Sequence, residues 1–486
     1  MPNTQNSTDA IIIGGGHNGL VCAYYLASKG LKVNIFERRP IIGGAAVTEE
    51  FHPGFKNSVA SYTVSLLNPE IIKEMKLKEY GLKIVKRPIS NFLPIDDKTY
   101  LKLGGGLERT QEEFKKFSEK DAAKLPEYYD RIEAVADVLR DISVKTPPNP
   151  KKGIKAVLGA ALQLWPIATK GNQVHRDVYD LFTKSARSFL DSWFENEHIK
   201  AAFGFDSTVG NFASPDTPGS AYVLLHHVFG EIDGEKGVWG HAIGGMGSIT
   251  QAMEKACKNM GVKIFTDAPV NKVIVKDNAA VGIELEDGSS IVANKIISNL
   301  NPKLLYKKLI SEDELEPEFN RGMDGYKCGS GTFRMNVALA ELPDFSVLPG
   351  KEVGEHHQSG IVIAPTLDYM DKAYIDAKSQ GWSSAPIVEM LIPSTIDNTL
   401  APDGKHVASL FCQQFSPTMP DGSSWHDHRL AAADTIIETV TKHAPNFRES
   451  ILGMMILSPL DLEEKFGLIG GDIMHGQMSL DQMWAA

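Results

Sequence analysis

The feature that most constrains this chain is a short apolar run that ends in three spaced glycines. Ala10-Ile-Ile-Ile13 is uninterrupted hydrocarbon, the pattern of a parallel strand covered on both faces. Gly14, Gly16 and Gly19 follow at the spacing of a dinucleotide-binding turn. The first permits a tight bend, the second lets backbone approach a pyrophosphate, and the third lets the next helix pack on the sheet. That helix carries Leu20, Ala23, Tyr24 and Ala27 at helical spacing and stops at Gly30, which suits a C-cap. Leu31, Val33 and Ile35 then alternate as a second strand. Glu37 stands 18 residues past Gly19, close to the ~20 at which a carboxylate accepts ribose hydroxyls. Phosphates would rest on free amides at the helix N-terminus, helped by its dipole. A plain glycine turn needs none of these neighbours, and together they predict a nucleotide-binding βαβ unit.

A chain of 486 residues has room for two or three domains at ~150 residues each and for a large core. Its 42% apolar and 23% charged fractions are those of a soluble globular protein. The net charge of -11 argues against nucleic acid as a partner, since phosphate backbones need clustered cations. Residues 1–8 are polar and lead straight into the first strand, and no apolar run reaches the ~18 residues of a membrane span. The expected location is the cytoplasm. Cys22, Cys257, Cys328 and Cys412 form no C-x-x-C pair, so neither a disulfide framework nor a dithiol centre is predicted. No metal-ligand spacing occurs either.

Further along, Glu37-Arg-Arg-Pro-Ile-Ile-Gly-Gly-Ala-Ala-Val-Thr48 adds a second glycine pair just past the acid. Residues 49–234 read as inserted material. Ile71 to Lys78 and Glu112 to Leu139 have helical character, with an irregular or strand-rich stretch around Pro88 and Pro94. Pro147-Pro-Asn-Pro150 breaks any helix. The amphipathic stretch 151–170 suits a peripheral membrane contact, a lid over an apolar channel, or a plain core helix. His226 and His227 are the candidate acid–base groups because imidazole titrates near neutral pH, although histidines beside an apolar run also serve as structural residues. Gly244-Gly-Met-Gly-Ser248 leads into a helix, Ile249 to Met260, with Ser248 as N-cap and Gly261 as C-cap. Val262 to Phe265, Val273 to Val275 and Lys295 to Ser298 read as strands. Asp287-Gly288 turns a hairpin between Val281–Leu285 and Ser290–Val292. Later strands are expected at Thr332–Ala340, Ile361–Ile363, Val388–Ile392 and Ala408–Phe411, and a helix at Leu430–His443.

The segment holding Glu37, Arg39, Gly43 and Gly44 resembles the E-x-R-x-x-x-G-G element of FAD enzymes in the phytoene desaturase and amine oxidase superfamily. The resemblance implies that Arg39 and the glycine pair line the cofactor's pyrophosphate and ribityl chain. It also implies that the backbone of Val270 meets the adenine. Trp239-Gly-His-Ala-Ile-Gly-Gly-Met-Gly247 and Gly470-Gly-Asp-Ile-Met-His-Gly-Gln-Met-Ser-Leu-Asp-Gln482 narrow the likeness to a phytoene-desaturase-related subgroup and extend it over essentially the whole chain. Two departures stand out. Ala45 replaces an arginine that many relatives place after the glycines, and the chain reaches Trp484-Ala-Ala486 without the strand–turn–helix that closes over the flavin in relatives.

The expected fold is α/β, a Rossmann-type FAD-binding domain with a parallel sheet (1–55 and 236–303) interleaved with an α+β substrate domain (56–235 and 304–486). The expected cofactor is FAD, held by Gly14, Gly16, Gly19, Glu37, Arg39, Gly43, Gly44 and Val270. The expected activity is oxidation of a small apolar, polyene- or lipid-like substrate. A redox-neutral flavin-dependent isomerase and a non-catalytic flavoprotein acting through protein partners are the alternatives. NAD(P) alone would leave Gly43-Gly44 without a role.

Overall fold

The apolar run becomes β1 (Thr8–Ile13), the central strand of the first sheet, with Ala10, Ile11 and Ile12 wholly buried. The glycine turn leads into α1 (His17–Ser28), and β2 (Val33–Phe36) returns parallel to β1 with Ile12 opposite Ile35. The computed structural model describes residues 8–146, 153, 159 and 169–483. The proline break at 147–150 and most of the stretch 151–170 therefore lie outside the described residues.

Lys263–Phe265 pairs parallel with the outer edge of β2, and Ser290–Ser298 pairs parallel with the other edge of β1. Four strands are thus parallel, as expected of a nucleotide-binding sheet. The sheet as a whole is mixed, because Ser290–Ser298 also pairs antiparallel with Ala279–Leu285, which pairs with Val270–Lys276. Ser290–Val292 and Lys295–Ser298, expected as separate strands, form one strand that changes partner midway. A hairpin turn at Gly288, φ +82°, makes the antiparallel arm by a local reversal, whereas a parallel pair would need a crossover.

α1 and the helix Gly247–Asn259 share a buried cluster that includes Leu20, Ala23, Met253 and Cys257. Ser248 lies inside this helix and is not its N-cap: its hydroxyl donates to the Gly245 carbonyl (2.8 Å), and Met246 is the cap. Cys257 donates to the Leu20 carbonyl (3.2 Å), and burial pushes its thiol up to about 12. All four cysteines are free.

The second sheet has seven strands, in the order Ile451–Leu457, Thr332–Leu339, His406–Phe415, Trp382–Leu391, Gly360–Ile363, Asn91–Pro94 and Tyr100–Leu103. Every residue of Thr332–Leu339 is buried. Its polar face is covered because Asn336 exchanges hydrogen bonds with Asn57 (2.8 Å) and the Ser58 carbonyl (3.1 Å). This seats the second sheet on the segment that follows the glycine pair. Helices Leu367–Gln380 and Trp425–His443 pack on this sheet.

Residues 112–139, expected as one helix, belong to two, Leu107–Lys115 and Glu119–Ser143. The break falls where Ser118 turns its hydroxyl to accept from the Asp121 amide (3.1 Å), starting a new helix. The helix expected at 71–78 ends at Glu74, since Lys76 adopts φ +56°. No helix among the described residues is long and apolar enough to cross a membrane.

Candidate functional site

Glu37 organises the glycine turn. One carboxylate oxygen accepts from the Gly15 amide (2.8 Å) and the other from the Arg39 amide (2.9 Å), and the side chain is buried. Each oxygen keeps a second lone pair, so the acid that holds the turn can still accept from a ribose. At Gly19 a Cβ would lie 2.4 Å from the Gly14 carbonyl oxygen, so the third glycine lets the helix close on the turn. Asn299 locks that closure, donating to the Ile13 carbonyl (3.0 Å) and accepting from the Gly19 amide (3.0 Å). The first amides of a helix have no intrahelical acceptor. Gly16 caps α1 without a side chain, and no acid sits in the first turn. The Gly16, His17 and Asn18 end of α1 thus presents donors and dipole to an anion.

Gly43 and Gly44, φ +123° and +58°, bring a second backbone segment against this turn. The Gly43 amide donates to the Gly15 carbonyl (2.8 Å), and a Cβ on Gly44 would lie 3.1 Å from the Gly16 Cα. Arg39 pairs with Glu49 and stacks on Phe466 (5.0 Å), while its Nη1 is buried without a partner. The turn before Val270 is fastened to the same strand end: the Ala268 amide donates to the Glu37 carbonyl (2.9 Å) and the Asp267 amide to that of Arg39 (3.2 Å). Gly14, Gly16, Gly19, Glu37, Arg39, Gly43 and Gly44 therefore come together at one end of the first sheet, and the turn that precedes Val270 is fastened to the same place. A glycine cradle that side chains would fill, together with an orphaned buried guanidinium nitrogen, fits the polyphosphate and sugar of a dinucleotide such as FAD.

Two of the later motifs close on this region. The Gly470–Gly476 loop is fixed by Asp472, which accepts from Gly329 (2.7 Å) and Met474 (2.8 Å) amides. The His475 carbonyl accepts from Tyr326 (2.9 Å) and from Asn301 (3.3 Å), on the same loop as Asn299. In the other motif His241 Nε2 donates to Asp397 (2.8 Å), and the Gly244 amide donates to the same oxygen (2.7 Å). Burial pushes the Asp397 carboxyl up, but His241, Thr399 and the Gly244 amide outweigh it and hold it down to about 2. The Met246 amide donates to Ser58 (2.9 Å) and the Gly247 amide to Thr48 (3.0 Å), so this loop is pinned to the hairpin after the glycine pair. The sequence reading missed Asn299 and Asp397. The only signal for the first was the Asn299-Leu-Asn-Pro302 exit from its strand.

Beside this region lies a cavity of about 790 Å³. Its inner end holds Tyr62, Arg87, Asp206 and Glu389, its walls carry Tyr128, Tyr129, Phe203 and Trp239, and exposed ion pairs such as Lys86–Glu235 (2.6 Å) stand at its rim. The Ser61 amide donates to the Ala45 carbonyl (3.0 Å), so Tyr62 is one residue from a backbone contact that is itself one residue from Gly44. The Tyr62 hydroxyl donates to Glu389, whose pKa burial raises. Tyr62 stacks on Phe411 (4.8 Å) and lies under the Arg334 guanidinium (4.7 Å).

His226 does not line the cavity: burial pushes it down to about 4, and its ring packs 6.2 Å from Trp239. The His227 backbone closes the 3-10 helix Ser220–His227. The side chain of His227 lies outside the described residues, and Tyr62 and Glu389 are titratable groups that do line the cavity. Elsewhere His426, Asp461 and Glu464 bring ligand atoms within 4.8 Å of one another, but Asp461 already accepts from Arg429 (2.5 Å) and none of the three lines the cavity.

Residues 19–332 match the family model described as flavin containing amine oxidoreductase. The chain is 38% identical over 499 residues to pyridine nucleotide-disulfide oxidoreductase domain-containing protein 2 of Rattus norvegicus, covering 98% of this chain and 86% of that one. It is 26% identical over 480 residues to the lycopene-forming phytoene desaturase of Pantoea ananas, covering 97% and 89% respectively. Among solved structures, an oxidoreductase from Methanosarcina mazei has the same fold at a TM-score of 0.60 and 17% identity, over 92% of this chain and 87% of that one.

Proposed function

We propose, for a chain that belongs to the family of flavin-containing amine oxidoreductases and is an FAD-dependent oxidoreductase, that its substrate is an apolar organic molecule dehydrogenated in the cavity above Tyr62. The observation that carries this reading is the cavity itself, aromatic along its walls and tied through Ser61 and Ala45 to the glycine pair. Its volume of about 790 Å³ is in the range of sites for drug-sized ligands. In this reading Gly14, Gly16, Gly19, Glu37, Arg39, Gly43, Gly44 and Val270 hold FAD, which supplies the hydride acceptor when bound. The chain's part is to exclude water, align a C–H bond and take the proton that leaves with it. Glu389 is the proton acceptor. Its buried carboxylate gains basicity from desolvation, while Tyr62 holds it in place. The desaturase among the relatives supports a carbon–carbon substrate bond.

The test is anaerobic reduction of the purified, flavin-loaded protein, followed by loss of the flavin's visible absorbance. Apolar polyenes in micelles should reduce it and small polar amines should not. Glu389→Gln should keep its flavin and lose about 10²–10⁴-fold in reduction rate. Reduction by polar amines alone, or continuous turnover of polyene without any electron acceptor, would overturn the reading.

A further inference from the structure

Arg334 places a charge in the middle of the second sheet. It stands on the strand Thr332–Leu339, is 1% exposed, and forms no ion pair among the described residues. Its guanidinium donates to the Leu410 carbonyl (2.8 Å) and the Ser409 hydroxyl (2.9 Å), both neutral acceptors. Otherwise it meets two rings, with its central carbon 4.7 Å from the centre of Tyr62 and 5.9 Å from that of Phe411. Joining two strands needs no charge, and a buried cation without an anion beside it is costly. Burial lowers its pKa only to about 10, so it stays charged at neutral pH. An acid lies at the other end of the Tyr62 ring, where the phenol hydroxyl donates to Glu389, two strands away in the same sheet. Glu389 is buried, and desolvation favours its neutral form, which cannot take up a proton. Arg87, the Tyr62 hydrogen bond and Arg334 oppose that effect. Arg87 is set beside them by donating to the Thr63 hydroxyl. Asp206, on the 3-10 turn Phe205–Thr208, and the buried Cys412 thiol are the other titratable groups that feel the charge of Glu389.

We propose that Arg334 is a positioning residue for the reaction: seated against the Tyr62 ring, it fixes the phenol on Glu389 and keeps that carboxylate ready to accept a proton. A cation over a ring is held by the ring's quadrupole. The phenol so polarised donates more strongly to an ionised acceptor than to a neutral one. Arg334 does this without lining the cavity, so it acts on the substrate only through Tyr62 and Glu389. The inference rests on the reading of Glu389 as the proton acceptor and adds to it the residue that holds it in the accepting form.

The test is the pH profile of flavin reduction by a polyene, on the flavin-loaded full chain and its Arg334→Met and Arg334→Lys variants. Without the cation the Glu389 carboxyl should hold its proton to higher pH, so the acidic limb of the Arg334→Met profile should move up by at least about one unit. Its rate should fall about tenfold on that limb and recover as the pH is raised. Arg334→Lys, which keeps a charge, should return the limb most of the way. A side chain that only joined strands would, when replaced, lower the rate alike at every pH. Infrared difference spectra, with Glu389→Gln to assign the carboxyl band, follow the same group without substrate and should show the same upward shift. Flavin content and melting temperature establish that the variants are folded. If Arg334→Met fails to load flavin, the band of the unaltered protein at neutral pH decides: a carboxylate supports the proposal and a neutral carboxyl overturns it. An unmoved limb, a loss equal at all pH values, or a lysine variant that behaves as the methionine one would also overturn it. The infrared reading needs no turnover, so the two readings fail separately. A Glu389 band shifted by Arg334→Met beside a flavin that no polyene reduces would sink the dehydrogenase reading alone. Reduction by polyenes that depends on Glu389 and keeps its pH profile in Arg334→Met would sink this one alone.

Discussion

A methyl group on Gly16 would find room in the folded chain, its nearest neighbours being 3.6 and 3.9 Å away, whereas one on Gly19 would lie 2.4 Å from a carbonyl oxygen. The two glycines therefore answer to different demands, one to the cofactor and one to the fold. Gly16→Ala should leave the unfolding free energy of cofactor-stripped protein within about 0.5 kcal/mol, as for a neutral surface change. FAD affinity should fall at least about tenfold, a cost of 1.4 kcal/mol or more. Gly19→Ala should lower both. Calorimetry of the stripped proteins, alongside flavin titration, separates the two outcomes, and unchanged FAD binding by Gly16→Ala would remove Gly16 from the proposed cofactor residues. Such glycines are legible in sequence because what they supply is backbone, and a backbone demand shows in the residue type. Asn299 and Asp397 supply side-chain contacts to partners far away in the chain, and beyond the strand exit at Asn299 nothing local marks them for that work.

At the scale of elements, the loop Gly244–Gly247 is held by a buried aspartate far from it in sequence. Asp397 is bound by His241, Thr399 and the Gly244 amide, and its folded pKa of about 2 lies below the usual ~3.9 of an aspartate in an unfolded chain. A depressed carboxyl stabilises the fold above the unfolded value, and that contribution fades as pH falls toward the folded one. Asp397→Asn should therefore cost about 2 kcal/mol near neutral pH. The gap from the unaltered protein should stay constant down to about pH 4 and narrow below it. Denaturant titrations at pH 7, 5 and 3.5 check this, and a gap that widened with acid would contradict it. The elements most legible in sequence were β1, α1 and β2, where one period holds from cap to cap and the glycines punctuate it. Less legible was the helix Leu367–Gln380, which the reading left out although Leu367, Met370, Ala373 and Ala377 recur on its buried face. Two of these four are alanines, too small to give a strong apolar signal. Ser248 shows the opposite error: a good N-cap residue by type, it sits two residues past the cap, Met246, where Gly245 and Gly247 pass close to Thr48.

In the whole molecule the two sheets meet through the stretch that follows the glycine pair, with Val59 and Ser61 donating to Val47 and Ala45, and Asn57 bonded to Asn336. FAD held along that stretch would add to the contacts joining the halves. Stripping it should lower the melting temperature, and adding it back to about 100 times its dissociation constant should return about 2.7 kcal/mol. A melting temperature indifferent to FAD would show that the cofactor does not bridge the sheets. That both sheets interleave in sequence was legible from the way nucleotide-type strands resume after a long insertion. The antiparallel arm was legible in the Asp287-Gly288 turn, whereas its joining to the parallel strands through the single strand Ser290–Ser298 was not. The switch of partner within Ser290–Ser298 has one more consequence, which concerns time. Thr8 pairs with Ala293, and Ile13 with Ser298, so the strand that opens the glycine turn is made hundreds of residues before its neighbour. At ~5–20 residues per second of synthesis, Ile11, Ile12 and Ile13 wait for tens of seconds with one edge unpaired. The nascent chain is most exposed to aggregation over that interval, and a chaperone that shields its first strand would raise the yield of folded protein more than one acting after release.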